Sequence, residues 1–261
     1  MKVRSLLLGL IAAAATVIAA PVAATATPGD GDGDGPITPF IVGGGNATQT
    51  YSFMASLQST SGGHFCGGSL IKANWIVTAA HCVQGKSPSS VQARIGTTNR
   101  TSGGTVARAS RIIIHPRYNG TSDIALIQLS TSVSQAPVTI SSASGPVGTQ
   151  TRLIGWGQTC PTRGCGTAPI TLQELNTSIV SDGECLGILG SSEICTDNPN
   201  NNSGACYGDS GGPQVKNING RWELIGATSR SGGGSTCARE PSIYTDVVAF
   251  KSWIAGYTGA L

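Results

Sequence analysis

Short apolar runs separated by turn-forming residues constrain the fold of this chain more than any other feature. Examples lie at residues 111–114, 124–129 and 224–227. Runs of this length are typical of β-strands, because helices are usually at least ten or so residues long. Glycine contributes 37 of the 261 residues and only 11% of the chain is charged, which favours many tight turns. We therefore predict a mainly β protein. Helical spacing occurs near the C-terminus, at Val247, Val248, Phe250, Trp253 and Ile254.

The run Gly-Asp-Ser-Gly-Gly-Pro at residues 208–213 surrounds one serine with glycines. Glycines allow backbone N–H groups to close on the carbonyl oxygen that Ser210 would attack. A serine hydroxyl is a weak nucleophile until an imidazole accepts its proton and a carboxylate fixes the tautomer of that imidazole. The run therefore predicts that the chain supplies one functional histidine and one functional aspartate.

The candidate partners of Ser210 are His81 and Asp123. His81 ends the apolar stretch at residues 75–80, as expected for a buried strand that opens into a fixed loop. Asp123 leads directly into an apolar strand, and an acid in that position is a candidate for a buried functional carboxylate. The alternative for His81 is a core histidine without a catalytic role. His64 and His115 are not expected to titrate in catalysis.

Further motifs lie before and after these three residues. They are Ile-Val-Gly-Gly at 41–44, His-Phe-Cys-Gly-Gly-Ser-Leu-Ile at 64–71, Gly-Trp-Gly at 155–157 and Pro-Ser-Ile-Tyr-Thr at 241–245. Together with the segments around His81, Asp123 and Ser210, in that chain order, they resemble the trypsin and chymotrypsin family. The resemblance runs from Ile41 almost to the C-terminus.

The resemblance implies an all-β fold of two antiparallel six-stranded barrels with a short C-terminal helix. The barrels would cover about 41–138 and about 139–246, and the helix about 247–257. It also implies a secreted serine endopeptidase in which His81, Asp123 and Ser210 form the catalytic triad between the barrels. The amides of Gly208 and Ser210 would form the oxyanion hole. This chemistry proceeds through an acyl-enzyme and requires no cofactor and no metal.

The N-terminal residues predict export. Residues 1–26 combine a basic start, an apolar stretch and small residues, which is typical of a signal peptide cleaved after Ala24 or Ala26. Residues 27–40 are too rich in glycine and aspartate to pack, and they predict a flexible propeptide. A membrane anchor and a calcium loop are the alternatives for these two segments. The alanine-rich signal suggests a bacterial source.

The resemblance also implies that the chain is made as a zymogen. In the family, cleavage before Ile41 frees an α-amino group that pairs with the aspartate preceding the nucleophile, here Asp209. A buried carboxylate needs a cationic partner, and the new terminus would supply it. The residue before Ile41 is Phe40, whereas a trypsin-like activator would require Lys or Arg. Either another protease matures the chain or the chain cleaves itself with an apolar preference.

The eight cysteines predict disulfides in an exported chain. The residues alone leave all pairings open. The resemblance implies the pairs Cys66–Cys82, Cys185–Cys195 and Cys206–Cys237, and it leaves Cys160 and Cys165 as a local pair. A zinc site is disfavoured, because no Cys-x-x-Cys pair or paired histidine spacing is present.

The substrate pocket implied by the resemblance lacks an acidic residue at its base. The position six residues before the nucleophile is aspartate in trypsins, and here it is Gly204, followed by Ala205. The other pocket positions would be Ser229, Arg230, Ser231 and Ser242. We therefore expect uncharged, apolar, medium to large residues before the scissile bond. The alternatives are a preference for small or for acidic residues, and Arg230 would either attract acids near the cut or stay solvated.

Residues 83–122 carry basic residues and no acidic ones. The basic residues are Lys86, Arg94, Arg100, Arg108, Arg111 and Arg117. A calcium loop is disfavoured here, because calcium needs oxygen ligands and usually carboxylates. We expect a solvated face, with a polyanion-binding patch as the alternative.

The expected partners are protein or peptide substrates and protein protease inhibitors. The net charge of +3 is too small to indicate nucleic acid, and we expect no membrane association and a monomer. The competing hypothesis for function is a catalytically silent homologue that binds a polyanion or a protein.

Overall fold

The computed structural model describes residues 41–118 and 122–261, so the predicted signal peptide and propeptide lie outside the described residues. The strands, in chain order, are β1 (Gly45–Asn46), β2 (Met54–Ser59), β3 (His64–Lys72), β4 (Trp75–Thr78), β5 (Val91–Ile95), β6 (Thr105–Ile114), β7 (Ala125–Leu129), β8 (Thr139–Ile140), β9 (Gln150–Gly155), β10 (Gln173–Ser178), β11 (Glu193–Thr196), β12 (Pro213–Ile218), β13 (Arg221–Ser231) and β14 (Ser242–Asp246). The α-helices are α1 (Ala80–Val83) and α2 (Lys251–Thr258). Short 3-10 helices lie at Pro88–Ser90, Asp182–Glu184, Pro199–Asn201 and Val247–Phe250.

The first barrel closes through the strand order β2-β3-β4-β7-β6-β5. Strand β5 shows the alternating burial expected in a closed barrel. Val91, Ala93 and Ile95 are buried, while the residues between them are partly exposed. Successive side chains of a strand point to opposite faces, so this alternation fills the barrel interior on one side and faces water on the other. The predicted six-stranded first barrel is confirmed.

The remaining strands form one sheet in the order β1-β10-β9-β12-β13-β14-β11, with β8 pairing in parallel to β13. This eight-stranded sheet is larger than the six strands expected, because two-residue segments at β1 and β8 add to it. Strand β1 belongs to this sheet although it precedes the first barrel in the chain, since Gly45 pairs with Glu174. The sheet corresponds to the second half of the chymotrypsin-like two-barrel fold.

The C-terminal helix packs against the first barrel. The 3-10 helix Val247–Phe250 leads directly into α2, and Ile254 on α2 is buried. His115, at the end of β6, lies between the rings of Phe250 and Trp253, with centroid distances of 5.0 and 4.9 Å. Burial lowers the pKa of His115, so this imidazole stays neutral and serves as a packing group. The predicted short C-terminal helix is confirmed.

The two halves meet through backbone at Gly67 and Gly212. The Gly67 N–H donates to the Ser210 carbonyl oxygen at 2.8 Å, which ties β3 of the first barrel to the segment carrying the serine. A Cβ atom at Gly67 would lie 2.7 Å from the Gly212 Cα, a distance that a side chain cannot adopt. Only glycine at position 67 therefore permits this approach.

Four disulfides brace the loops that surround the cleft between the halves. They join Cys66 to Cys82, Cys160 to Cys165, Cys185 to Cys195 and Cys206 to Cys237. These are the pairs that the resemblance implies. Over the described ranges 41–118 and 122–261, no helix has the length and apolar character needed to span a bilayer.

Candidate active site

His81 and Asp123 are brought together by the pairing of β4 with β7. Thr78 at the end of β4 lies opposite Ala125 at the start of β7, so the residues just beyond these strand ends become neighbours. The His81 backbone N–H donates to Asp123 Oδ1 at 2.9 Å, and His81 Nδ1 lies 2.7 Å from Asp123 Oδ2. A carboxylate at this distance holds the proton on Nδ1 and leaves Nε2 as a proton acceptor.

Asp123 is buried but remains ionised. Burial by itself would raise the pKa of this carboxyl, but the hydrogen bonds and charge of His81, together with the Ser229 hydroxyl, outweigh it and hold the pKa below its ordinary value. The Ser229 hydroxyl donates to Asp123 Oδ2 at 2.7 Å, and the Thr245 hydroxyl donates to the Asp123 carbonyl oxygen at 2.9 Å. Both hydroxyls come from the second sheet, so Asp123 is fixed from both halves.

Ser210 and His81 line the same cleft, which has a volume of about 800 Å³. The Ser210 carbonyl oxygen is held by the hydrogen bond from the Gly67 N–H. In the described part of the chain, no hydrogen bond joins the Ser210 hydroxyl to His81. Catalytic hydrogen bonds in proteins without substrate are often long and tighten only when substrate is bound. The cleft therefore contains an oriented imidazole and an accessible serine.

The backbone two residues before Ser210 has a conformation that favours glycine. Gly208 has a φ of 102°, which a residue with a side chain rarely adopts. Its carbonyl oxygen accepts a hydrogen bond from His64 Nε2 at 3.1 Å, and this contact fixes the peptide group that precedes Asp209. The orientation of the neighbouring amides thus depends on a residue of the first barrel.

His64 has a structural task that sequence reasoning missed. Burial lowers the pKa of His64 to about 4, so the imidazole is neutral near pH 7. Its Nε2–H donates to Gly208, and Nδ1 lies 2.8 Å from the Ser56 hydroxyl and can accept from it. In the sequence, the only indication that His64 lies near the cleft is its position on β3, two residues before Cys66.

Asp209 is buried next to Ser210 in the chain and has no cationic partner among the described ion pairs. Its carboxylate accepts backbone hydrogen bonds from Gly157 at 2.8 Å and Cys206 at 2.9 Å. Burial nevertheless raises the pKa of Asp209 to about 7. Ile41 is 1% exposed and packs in a cluster that contains Tyr244, whose raised pKa reflects burial and the nearby Asp209 charge. Ile41 and Tyr244 thus share one buried cluster, and the charge of Asp209 acts on Tyr244.

Most of the predicted pocket residues line the cleft. They are Ala205, Ser229, Arg230, Ser231 and Ser242. Gly204 is the exception: it is buried behind the wall, where an added Cβ would lie 3.7 Å from the Ser242 hydroxyl oxygen. The Cys206–Cys237 disulfide contributes both its residues to the walls, and the residues lining the cleft include no carboxylate. Among the described residues that line the cleft, none is acidic and able to pair with a basic side chain.

Arg230 takes neither of the two roles considered for it. Its Nη1 and Nη2 donate to Glu193 Oε1 and Oε2 at 2.5 and 2.9 Å, and Nη2 also donates to the Gly187 carbonyl oxygen at 3.1 Å. The Glu193 side chain is fully buried, whereas that of Arg230 is 33% exposed. A buried carboxylate requires such a partner, so Arg230 is bound to β11 rather than free or solvated. Sequence reasoning missed Glu193 because 37 residues separate it from Arg230.

Cys66, His81 and Cys82 place possible ligand atoms within 4.8 Å of one another. Both sulfurs belong to the Cys66–Cys82 disulfide, so this group offers no thiolate to a metal ion. Several basic residues of the segment 83–122 have separate partners. Lys86 Nζ lies 4.5 Å from the Phe65 ring centroid, Arg111 lies over Tyr257, and Arg100 donates to backbone carbonyls.

Comparisons with known proteins agree with this geometry. The family model described as Trypsin matches residues 41–254. Trypsin alpha of Drosophila melanogaster is 36% identical over 234 residues, which cover 84% of this chain and 88% of that protein. Trypsin Blo t 3 of Blomia tropicalis is 39% identical over 236 residues, covering 83% of this chain and 85% of that protein. Serine protease 1 of Rattus norvegicus is 36% identical over 225 residues, covering 81% and 87%.

The fold, the cleft and these relatives define a serine endopeptidase, a hydrolase that acts on protein substrates. The chain belongs to the trypsin family. The predicted resemblance to this family is confirmed. The suggestion of a bacterial source is not borne out, because the relatives come from insects, a mite, rat and chicken.

Proposed function

We propose that Ser210 is the nucleophile of this endopeptidase, with His81 as general base and Asp123 as the carboxylate that orients it. Ser210 Oγ attacks the peptide carbonyl as His81 Nε2 accepts its proton, and the Gly208 and Ser210 amides stabilise the oxyanion. His81 then gives the proton to the leaving amine, which leaves an acyl-enzyme. Water, deprotonated by His81, releases the acyl group and regenerates the Ser210 hydroxyl.

The observation that carries this assignment is the 2.7 Å contact between His81 Nδ1 and Asp123 Oδ2 at a cleft shared with Ser210. Asp123 is ionised and buried, so it can both fix the tautomer and stabilise the imidazolium that forms during attack. A catalytically silent homologue would not need an imidazole held in this way, and no contact in the described residues favours that alternative.

The proposed activation step is cleavage between Phe40 and Ile41. The freed α-amino group of Ile41 would pair with Asp209, whose raised pKa reflects a buried carboxylate in need of a cation. This pairing is supported by the burial of Ile41 in one cluster with Tyr244, whose pKa is raised in part by the charge of Asp209. Ionised Asp209 would then hold the adjoining amides of the oxyanion hole in place. Residues 27–40 would serve as the propeptide, removed by another protease or by the chain itself.

The proposed specificity is for uncharged, apolar, medium to large residues before the scissile bond. The cleft walls carry small hydroxyl groups and no carboxylate, so a Lys or Arg side chain would lose its hydration without gaining a partner. An acidic side chain gains little from Arg230, because Glu193 already neutralises that guanidinium. The Ser242 hydroxyl narrows the pocket, which limits the largest residues.

The proposed setting is extracellular. Residues 1–26 would direct export, and four disulfides suit an oxidising compartment. We expect the protein to act as a monomer on protein or peptide substrates, to be controlled by protein inhibitors, and to need no cofactor or metal for the chemistry.

The test is hydrolysis of peptide amides that differ only at the residue before the scissile bond, with Phe, Leu, Ala, Lys or Glu at that position. Protein whose N-terminus is verified as Ile41 should cleave the Phe and Leu peptides fastest, and Ser210→Ala should abolish cleavage. Faster cleavage after Lys or Glu would contradict the specificity. No cleavage of any peptide by verified protein would favour a silent binding protein.

A matched control is Ser90→Ala, which removes an exposed hydroxyl in the 3-10 helix Pro88–Ser90, away from the cleft. This variant should retain the activity of the parent. A comparable loss in both serine variants would show that the Ser210 result reflects damage to the fold rather than to the nucleophile.

A further inference from the structure

We propose that Lys86 and Arg163 make this protease select acidic residues after the scissile bond, on the side of the cleft that receives the leaving segment of the substrate. This inference rests on the proposed endopeptidase function. It concerns a part of the cleft that the pocket residues do not line, and it depends on a difference in charge between the two sides of Ser210.

The position of His81 identifies the leaving-group side. His81 Nε2 must face the amine that it protonates, and Cys82 Sγ lies 3.9 Å from it. Cys82 is bonded to Cys66, and Phe65 precedes Cys66 on β3. The substrate segment that departs after acyl transfer therefore passes this disulfide and Phe65.

Lys86 lies over this part of the cleft. Its side chain is exposed, and its ammonium lies 4.5 Å from the centroid of the Phe65 ring. Both residues line the cleft, and Lys86 belongs to none of the ion pairs formed within residues 41–118 and 122–261. An ammonium resting on an aromatic face keeps its hydrogen-bond donors available for an additional anion.

Arg163 reaches the same cleft from the second half of the molecule. Its guanidinium carbon lies 5.4 Å from the centroid of the Tyr207 ring, and Tyr207 directly precedes Gly208 of the proposed oxyanion hole. Arg163 is exposed, lines the cleft and takes part in no ion pair among the described residues. Two cations held on aromatic rings thus border the cleft near the reacting serine.

The acyl side carries no comparable excess of charge. Arg230 lines that wall, but its guanidinium is paired with the buried Glu193 carboxylate. The residues lining the cleft include Lys86, Arg163 and Arg230 and no acidic residue, so the uncompensated charge is that of Lys86 and Arg163. A substrate that is neutral before the scissile bond and acidic after it would match this distribution.

The test uses peptides that share one sequence before the scissile bond and carry two residues after it, either Asp-Glu, Asn-Gln or Lys-Lys. We expect kcat/KM for the acidic peptide to exceed that for the amide peptide by about three- to tenfold at low ionic strength. This ratio should fall as salt rises to about 0.5 M, because exposed charges are screened. The dibasic peptide should be the slowest.

Lys86→Gln and Arg163→Gln should each lower the acidic-to-amide ratio, and the double variant should bring it close to one. Arg221→Gln is the matched control, since Arg221 is exposed, does not line the cleft and loses the same charge. Its ratio should equal that of the parent. Equal rates for acidic and amide peptides in the parent, or an unchanged ratio in the double variant, would overturn the proposal while leaving the protease function intact. Absence of cleavage of all three peptides would instead remove the proposed function, and this inference with it.

Discussion

Asp123 and Asp209 are both buried at the cleft, yet they differ in how their charge is stabilised. Asp123 is 4% exposed and lies beside His81 and Ser229, and its pKa is held below the ordinary value although burial opposes this. Asp209 is 2% exposed, its carboxylate accepts hydrogen bonds from two described backbone amides, and burial raises its pKa to about 7. Hydrogen bonds from two amides therefore do not offset the effect of burial on the Asp209 pKa.

The Asp123 carboxylate thus already has its partner, whereas the Asp209 carboxylate still needs a cationic one. The partner of Asp123 is a side chain fixed by strand pairing, so the His81–Asp123 unit forms whenever the barrel folds. In our proposal, the partner of Asp209 is an amino group that exists only after cleavage before Ile41. The precursor would thus contain an assembled proton acceptor beside an oxyanion hole whose supporting charge is missing.

The strongest test of the comparison is Asp123→Asn in the matured protein. An amide cannot stabilise the imidazolium and favours the wrong tautomer of His81, so kcat should fall by roughly 10³- to 10⁴-fold. The measurement is steady-state hydrolysis of a Phe or Leu peptide amide. Asp182→Asn makes the same change at an exposed position and serves as the control. A loss below tenfold at Asp123 would show that His81 does not depend on its charge.

The second test is the pH dependence of unfolding in the uncleaved chain, with Ser210→Ala to prevent self-cleavage. The Asp209 pKa rises from its ordinary 3.8 to about 7, so between these pH values the native state binds a proton that the unfolded state releases. Stability contributed by protonated Asp209 should therefore decline by roughly 4 kcal/mol as pH rises from about 4 to about 7.

Adding Asp209→Asn isolates this effect, because other groups titrate in the same range. His64 in particular acts in the opposite direction: its pKa is lowered to about 4, so its contribution favours the native state as pH rises. The free energy of unfolding, measured in urea at several pH values, should lose its Asp209-dependent decline in the Asn variant. Parallel pH curves for the two proteins would contradict a protonated Asp209 in the precursor.

The third test is Asp209→Asn in protein verified to begin at Ile41. The amide cannot form the proposed ion pair with the α-amino group, and the amides near Ser210 lose their support. We expect kcat/KM to fall by about 10²-fold, comparable to the loss of one oxyanion donor. Retention of full activity would show that Asp209 has no part in building the oxyanion hole, even if the precursor titrates as described above.

The smallest effect is expected from Ser229→Ala, which removes the 2.7 Å hydrogen bond to Asp123 Oδ2. Hydrogen bonds to charged groups contribute about 1.5 kcal/mol or somewhat more, so kcat/KM should fall about tenfold. Ser110→Ala is the control, since that exposed hydroxyl donates to the Gln128 carbonyl oxygen outside the cleft. An unchanged rate at Ser229 would mean that His81 alone determines the ionisation of Asp123.

The sequence contained enough information to predict the fold class and to bring His81, Asp123 and Ser210 forward as candidates. Each of these candidates stands beside an apolar strand or a glycine-rich run, so its chemistry is visible locally. The six-stranded first barrel was predicted from the resemblance to the family, since β5 alternates buried and partly exposed residues but β2 and β4 are buried almost throughout. The cysteine pairs followed from the resemblance rather than from spacing.

The contacts that sequence reasoning missed join residues that are far apart in the chain. Ser229 reaches Asp123 across 106 residues, and His64 reaches the Gly208 carbonyl across 144. Serine and histidine are common in strands without any such task, so neither residue differs locally from a structural one. The extra strand β1 was hidden for the same reason, because its two residues have meaning only beside β10.

The glycine contact between β3 and the serine segment has a further consequence for how this enzyme can vary. Gly67 and Gly212 meet as bare backbone, so the junction contains no side-chain layer that could absorb a shift between the halves. A displacement between the halves would therefore be transmitted directly to the segment that carries Ser210. Positions such as Lys86 and Arg163 lie on the solvent side of the cleft, where replacement alters charge without moving that junction. The molecule therefore combines a backbone junction that has no room for a side chain with exposed charged positions at the edge of the cleft. Substrate preference can change at those positions while the junction stays intact.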